Sequence, residues 1–423
     1  MAKIGNIVVL VKFNSKNEVD KKITLLLNEK ITLKIVQSIT GEKVLFLLNN
    51  EYRPDVRVKK EIESLIKLGF YIQLFCWDIN CQLPKSENYN NFSIRRIQTP
   101  SKKQLGYKQL FYLLKFYLKF LITNFKKKIK FDIIHVHDLL LLPLAVLLKI
   151  LYKKPLIYDA HEIYVFMEAK KFNKWILKII QHIECLLIKY FVDEFITVST
   201  QRVNEYWLKK IPKLKYTVVG NWHNILNPAK KEETLLLKKE LQISPNKKII
   251  GYIGSISPSR NIKAFCDFLE KNQNYYGIIA GRGAKEEESI LKRYSDKNDN
   301  IKYLGYIKNP NKIYSICDAL IYLIKEDHKY SDWIAPNNLY TAIAYTKPLI
   351  SLNKGEVRRV FNSNPIGYCV ANYSYSELLK ATKNIFDESN LKVIKNNIKN
   401  IQQQYTWDNA EKELITVYKR IIL

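Results

Sequence analysis

From Lys43 onward, short continuous apolar runs alternate with longer segments whose apolar residues recur every three or four positions. Val44–Leu48 reads as a buried strand, residues 49–55 as a loop, and Val56–Leu68 as an amphipathic helix closed by Gly69, with a second strand at Tyr71–Cys76. A strand, helix and strand within about 30 residues predict a parallel pair joined by a right-handed crossover. The alternation continues through strands at Ile133–Val136, Pro155–Tyr158, Glu194–Val198 and Tyr216–Val219, with helices starting near Leu139, Phe172 and Thr200. After a Lys-rich connection a second series runs through Lys248–Ile253, Tyr276–Ala280, Ile301–Leu304, Ala319–Leu323, Pro348–Ser351 and Gly367–Val370.

This divides the chain into an extension of unknown role at 1–42, a doubly wound α/β domain at 43–222, a second at 223–405, and a terminal helix at 406–423 able to close either one. Ligands of such sheets bind beyond the carboxyl ends of the strands, so the cleft between the domains is the expected site.

A length of 423 residues with 47% apolar and 26% charged residues fits a folded globular chain of more than one domain. The six cysteines form no CxxC pair and read as reduced core residues. No secretory leader and no unbroken apolar stretch of about 18 residues stands out, so the cytoplasm is the expected location. The net charge of +29 raises the question of an anionic partner. Only 11 of the 69 basic residues are Arg, however, and an Arg-poor, Ile- and Asn-rich composition is what an AT-biased genome encodes. Nucleic-acid binding would rest on charge alone, and none is expected.

Four strand ends of the second domain carry turns that suit a ligand. Gly254 and Ser255 follow the first strand, with Arg260 beside a helix start where it can pair with phosphate. Gly281 and Gly283 permit a nest of amides around an anion. Gly305, Tyr306 and Ile307 follow the third strand, and Pro336, Asn337, Asn338, Leu339 and Thr341 open a helix whose first amides suit a diphosphate. In the first domain, His137 and Asp138 end one strand and His161 and Glu162 the next, where they can reach a sugar or share a proton. His135 and His137 share a strand face, so one of them reads equally well as a satisfied core histidine. No close Cys/His grouping points to a metal.

The ordered pieces PDVRV (54–58), HVHD (135–138), YDAHE (158–162), TVST (197–200), YIGSIS (252–257), AGRG (280–283), YLGYI (303–307) and PNNLYTAIAYTKPLI (336–350) resemble the retaining glycosyltransferases of family four, over roughly residues 43–423. The resemblance implies the GT-B fold, two facing Rossmann-like domains with a cleft between them. It also implies transfer of a sugar, with retention, from a nucleotide-sugar held by the second domain to a glycan or lipid-linked acceptor held by the first. It implies no metal cofactor, since this fold stabilises the leaving diphosphate with cations and helix amides. Arg260 matches the family's diphosphate cation, Gly305–Ile307 the segment against the base, and 336–341 the diphosphate and ribose loop, while His137 would lie against the donor sugar. Ser255 stands where the family has a second cation, and Thr341 and Trp333 stand where it has two acids.

The implied role is assembly of a surface polysaccharide or other glycoconjugate. A catalytically inactive homologue partnering an active transferase and a nucleotide-sugar epimerase of the same fold remain as alternatives. A dinucleotide dehydrogenase is disfavoured because no GxGxxG follows the opening strand. Between Lys108 and Lys130, aromatic residues and Leu interleave with Lys. That segment reads either as a helix lying in an anionic membrane surface or as one packed on the sheet with lysine stems reaching outward. Lys153, Lys154, Lys170 and Lys171 add to the first reading.

Overall fold

A computed structural model describes residues 2–4, 7–9, 41–53, 55–100, 107–167, 172–225, 228–328 and 330–422. Of the 1–42 segment it describes a small antiparallel pair, β1 (Ala2–Ile4) with β2 (Ile7–Val9), and the Gly41–Glu42 turn. Pro54 of the 54–58 motif, Lys170 and Lys171 lie outside the described residues.

The first large sheet contains β3 (Lys43–Leu48), β4 (Tyr71–Asp78), β5 (Ser86–Asn88), β6 (Phe92–Gln98), β7 (Ile133–His137), β8 (Leu156–Ala160), β9 (Glu194–Thr197) and β10 (Thr217–Val218). Its order is β10-β9-β8-β7-β3-β4-β6-β5, parallel except for β5. The second sheet contains β11 (Lys248–Ile253), β12 (Tyr275–Ala280), β13 (Ile301–Tyr303), β14 (Ala319–Ile321), β15 (Leu349–Leu352) and β16 (Gly367–Val370), all parallel in the order β13-β12-β11-β14-β15-β16. The winding reverses at β3/β7 in one sheet and at β11/β14 in the other, and a crevice opens at such a reversal.

Strands β5 and β6 are absent from the apolar-run reading. In Phe92–Gln98 the pair Arg95–Arg96 interrupts the pattern, and the strand tolerates it because Arg96 is held by the Glu51 and Pro84 carbonyls and by Glu87. Satisfied hydrogen bonds remove most of the cost of burying the guanidinium.

Helices Tyr107–Lys127, Leu142–Tyr152 and Lys174–Phe191 share one core with one face of the first sheet. The opposite face is covered by Val56–Lys67 and by the terminal helix Trp407–Ile422. The helix before it, Glu388–Gln402, packs in the second domain through Ile394, Ile398 and Ile401. The chain therefore crosses back over residues 403–406. Leu414 and Val417 are fully buried on the first sheet, the Tyr418 hydroxyl lies 2.7 Å from His135 Nδ1, and Arg420 pairs with Glu194 at 2.6 Å.

Leu414→Ala should cost about 2–5 kcal/mol of stability in urea denaturation through its lost contacts and the cavity left behind. Lys412→Ala, exposed on the same helix, should change stability by less than about 0.5 kcal/mol. Equal effects of the two would contradict the packing of this helix.

Candidate functional site

The carboxyl end of the first sheet is organised by a buried charge network. Asp55 caps the helix Val56–Lys67, accepting from Val58 N at 3.1 Å, and this aims Arg57 inward. The Arg57 guanidinium grips both Asp159 oxygens, at 2.8 and 3.0 Å, donates to the Val219 carbonyl, and lies 3.1 Å from Glu61. Asp159, the last but one residue of β8, also meets His161 Nε2 at 3.0 Å. His137 Nδ1 lies 3.1 Å from that same nitrogen.

These contacts set the protonation of the group. Burial opposes charge on His161, but Asp159 and Asp138 outweigh it and hold the imidazole protonated up to about 9. Glu61 is pushed up to about 8, first by burial and then by Asp159 against the pull of Arg57. His137 falls to about 4 through burial, and burial also drives His135 well below its ordinary range. Glu61, His135, His137 and Asp159 bring ligating atoms within 4.8 Å of one another. Arg57 already places a cation against both carboxylates, so the cluster reads as a charge network rather than a metal centre.

Two adjoining cavities of about 500 and 820 Å³ open between the domains, within the usual range for ligand sites. Val56, Asn221, Arg260, Tyr322, Pro336 and Asn337 line both. The first continues past His161, Glu162, Arg202 and Tyr330, and the second past Gly254, Ser255, Asn338 and Thr341. Arg260 Nη1 donates to the Tyr322 hydroxyl at 2.6 Å and the Leu323 carbonyl at 3.2 Å, whereas its buried Nε has no partner among the described residues. The helix Asn337–Ala344 starts in the same cleft. A guanidinium beside a helix N-terminus forms a cationic pocket suited to an anion.

Arg202 fastens the domains together. Its Nη2 reaches Glu162 and the Tyr330 hydroxyl, each at 2.6 Å, its Nε donates to the Trp333 carbonyl at 2.7 Å, and its Nη1 donates to the His161 carbonyl. Trp333 stacks on Phe166 across the interface with centroids 5.2 Å apart.

The structure brings His161, Glu162, Gly254, Ser255, Arg260, Pro336, Asn337, Asn338 and Thr341 to the cleft. It does not bring all the expected residues there. His137 is fully buried beneath Phe46 and lines neither cavity, because its strand position points it at the covering helices. Asp138 accepts from the amides of His161 and Glu162, so it shapes the turn. The amide nest fails because Gly281 N donates to Gly305 O and Gly283 N to Glu288, each at 2.8 Å. Those glycines serve close approach instead: a Cβ on Gly281 would sit 1.8 Å from Gly254 O. Leu339 is buried in the core, and Gly305, Tyr306 and Ile307 line neither cavity, with Tyr306 lying under Arg282 at 4.5 Å. The Thr341 hydroxyl donates to Asn337 O at 3.0 Å. Arg57, Asp159 and Arg202 escaped the sequence reading as site residues, and the only trace of the first two was their place within the quoted motifs.

Two facing parallel-sheet domains with a cleft between them form the GT-B fold. Residues 56–225 match the family described as Glycosyltransferase Family 4 and residues 233–404 match Glycosyl transferases group 1. The chain belongs to this glycosyltransferase family, the two matches together accounting for most of its length. An uncharacterised glycosyltransferase of Methanocaldococcus jannaschii is 21% identical over 86% of this chain and 93% of its own. Sucrose-phosphate synthase from Thermosynechococcus elongatus superposes with a TM-score of 0.71 at 14% identity, over 90% of this chain and 99% of that one. HepE of Anabaena, in complex with UDP, gives 0.66 at 14% identity over 89% and 100%.

The raised affinities of His161 and Glu61 mean that the folded chain binds more protons than the unfolded one. Stability is then lost as pH rises, across 6.5 to about 9 for His161 and across 4.5 to about 8 for Glu61. Below 6.5 the fully buried His137 and the half-buried His223, which lines the second cavity, are both held neutral and act in the opposite sense. Glu184, pushed up to about 8 by burial, adds to the loss, whereas Lys60, lowered to about 8 by burial, opposes it above that pH. The urea midpoint should therefore fall between pH 6.5 and about 8, and Glu61→Gln should flatten part of that fall. A midpoint that rises over this range would refute the proton assignment.

Proposed function

We propose that this chain transfers a sugar, with retention, from a nucleotide-sugar bound in the cleft to a glycan or lipid-linked acceptor, in synthesis of a surface polysaccharide or glycoconjugate. The observation that carries the reading is Arg260, shared by both cavities, with a donor unused beside the start of the Asn337–Ala344 helix. A diphosphate there would meet the guanidinium and the helix dipole, with the charged His161 further along the cleft. Related structures hold UDP, UDP-glucose or ADP, which supports a nucleotide-sugar donor. In a retaining transfer the departing phosphate takes the acceptor's proton on the same face, so the reading assigns no side chain as base. No metal cofactor is part of it.

A second reading, donor binding without turnover, draws on Trp333 and Thr341. One is committed to the Phe166 stack and the other to its own helix, so neither supplies the carboxylate that the family carries.

Among the described residues no helix is long and apolar enough to cross a membrane. The reading instead includes peripheral attachment to an anionic bilayer. Leu110, Phe111, Leu114, Leu118, Ile122 and Phe125 of the Tyr107–Lys127 helix are each at least half exposed. Neighbouring helices add Ile150, Leu151, Trp175 and Ile179 on the same side of the sheet. The only acid on these three helices is Glu184, which is buried against the Tyr158 hydroxyl. An apolar outer face whose charges are all positive matches an anionic lipid surface.

Against a panel of nucleotide sugars, at least one should raise the thermal midpoint of the protein. Arg260→Ala should weaken that binding at least about tenfold, as expected for loss of a charge-assisted contact. Unchanged affinity would reject the donor assignment, and binding without sugar transfer to any acceptor would select the second reading. Co-sedimentation with phosphatidylglycerol vesicles at low salt should drop when Lys126, Lys127 and Lys128 are all changed to Ser, each lysine near the surface contributing about 1 kcal/mol. Equal recovery on neutral vesicles would defeat the electrostatic attachment.

A further inference from the structure

A third depression, of about 730 Å³, lies outside the donor cleft on the first domain. Its floor is apolar, made by Val165, Phe166, Leu177, Tyr206 and the indole of Trp333. Its rim carries Lys174, Lys178, Lys209 and Lys210, all exposed and none ion-paired with a carboxylate among the described residues. The one acid in its wall, Glu205, is already neutralised by Arg358 of the second domain at 2.8 Å and receives the Gln201 amide at 2.9 Å.

Position ties this groove to two other surfaces. The helix Lys174–Phe191 that supplies Leu177, Lys174 and Lys178 also presents Trp175, Ile179 and Ile183 to solvent on the apolar, cationic face. The groove also includes Trp333, whose carbonyl holds Arg202, and Arg202 in turn touches Glu162 and Tyr330 in the wall of the cleft. The depression thus borders both the outer apolar face and the wall of the cleft.

We infer that this groove binds the acceptor as a lipid phosphate or diphosphate, with hydrocarbon on the floor of Leu177, Phe166, Tyr206 and Trp333 and phosphate among the four lysines. Free sugar would not need the apolar floor, and an uncharged lipid would not need the lysines. Lysine suits the task because its ammonium is a point charge on a flexible stem that can gather around phosphate oxygens. Trp333, which replaces the family's acid, then has a use in the floor of the acceptor groove. This inference rests on the lipid-linked branch of the proposed function and narrows it to an anionic lipid carrier.

The test titrates the full chain with farnesyl diphosphate by calorimetry, with farnesol and inorganic diphosphate run as the separate halves. Farnesyl diphosphate should bind at least about tenfold tighter than either half. Lys178→Glu with Lys210→Glu should weaken it at least about tenfold, while UDP binding stays as in the parent and Arg260→Ala leaves farnesyl diphosphate binding intact. The inference is overturned if the lysine pair has no effect, if farnesol binds as well as its diphosphate, or if Arg260→Ala abolishes the binding, which would put the anion in the donor cleft. Loss of all nucleotide-sugar binding with the lysine-dependent site retained would instead strike the transferase reading and leave the groove standing.

Discussion

The bidentate pair between Arg57 and Asp159 is the constraint on which the rest of the first domain depends. Both side chains are buried, and removing two such charges from water is costly unless every donor and acceptor is satisfied. Arg can meet that condition where Lys cannot, because its planar fork serves both carboxylate oxygens and still reaches a carbonyl. Here that carbonyl belongs to Val219, at the point where the chain leaves the first sheet. Lys60, one turn along the same helix, donates to the Trp222 carbonyl at 2.7 Å. One helix therefore holds both the end of β8 and the start of the connection to the second domain, so the local ion pair also constrains where the second domain begins.

The same pair determines the electrostatics of the cleft. Asp159 remains ionised because Arg57 and His161 stabilise it against burial. Its charge in turn keeps His161 protonated at the cleft wall. Glu61 stays neutral, which spares the core a second buried anion beside the first. With Arg202 behind Glu162 and Arg260 opposite, the cleft presents fixed cations from both domains. Catalysis by such preorganised charge depends on its being in place before the reacting group arrives, and a network anchored in the core, with His161 alone reaching well into the cleft wall, meets that requirement.

How much of this could be read from the chain alone follows from which signals are local. Apolar runs such as Val44–Leu48 and Lys248–Ile253 announce buried parallel strands because both sheet faces are covered, and they landed within a residue or two of the observed elements. Phe92–Gln98 did not, because Arg96 is satisfied by partners that local periodicity cannot reveal. At the site, Arg260 and the 336–341 turn were legible because a strand end followed by a helix start is a local pattern. The Gly281 and Gly283 amides were misread because the carbonyl and carboxylate that capture them lie elsewhere in the chain. His137 and His135 differ from His161 only in register: a residue within the strand points into a layer, whereas one just beyond its end enters the crevice. The choice between ligand-facing and core histidine thus turned on the tertiary layer, where Phe46 and Tyr418 await the buried rings.

The two faces of the first sheet meet different demands. One is sealed by Val56–Lys67 and the returning terminal helix, and carries the buried ionic network. The other carries three helices that already complete their core with residues such as Phe116, Phe120 and Leu144. Residues such as Leu118, Trp175 and Ile179 on their outer sides are therefore surplus to the packing of the domain. A biased genome accounts for many lysines but not for where they stand. Three helices on one face of the sheet carry a single acid, Glu184, and it is buried. The +29 charge is thus informative less in its size than in where its counter-charges are missing.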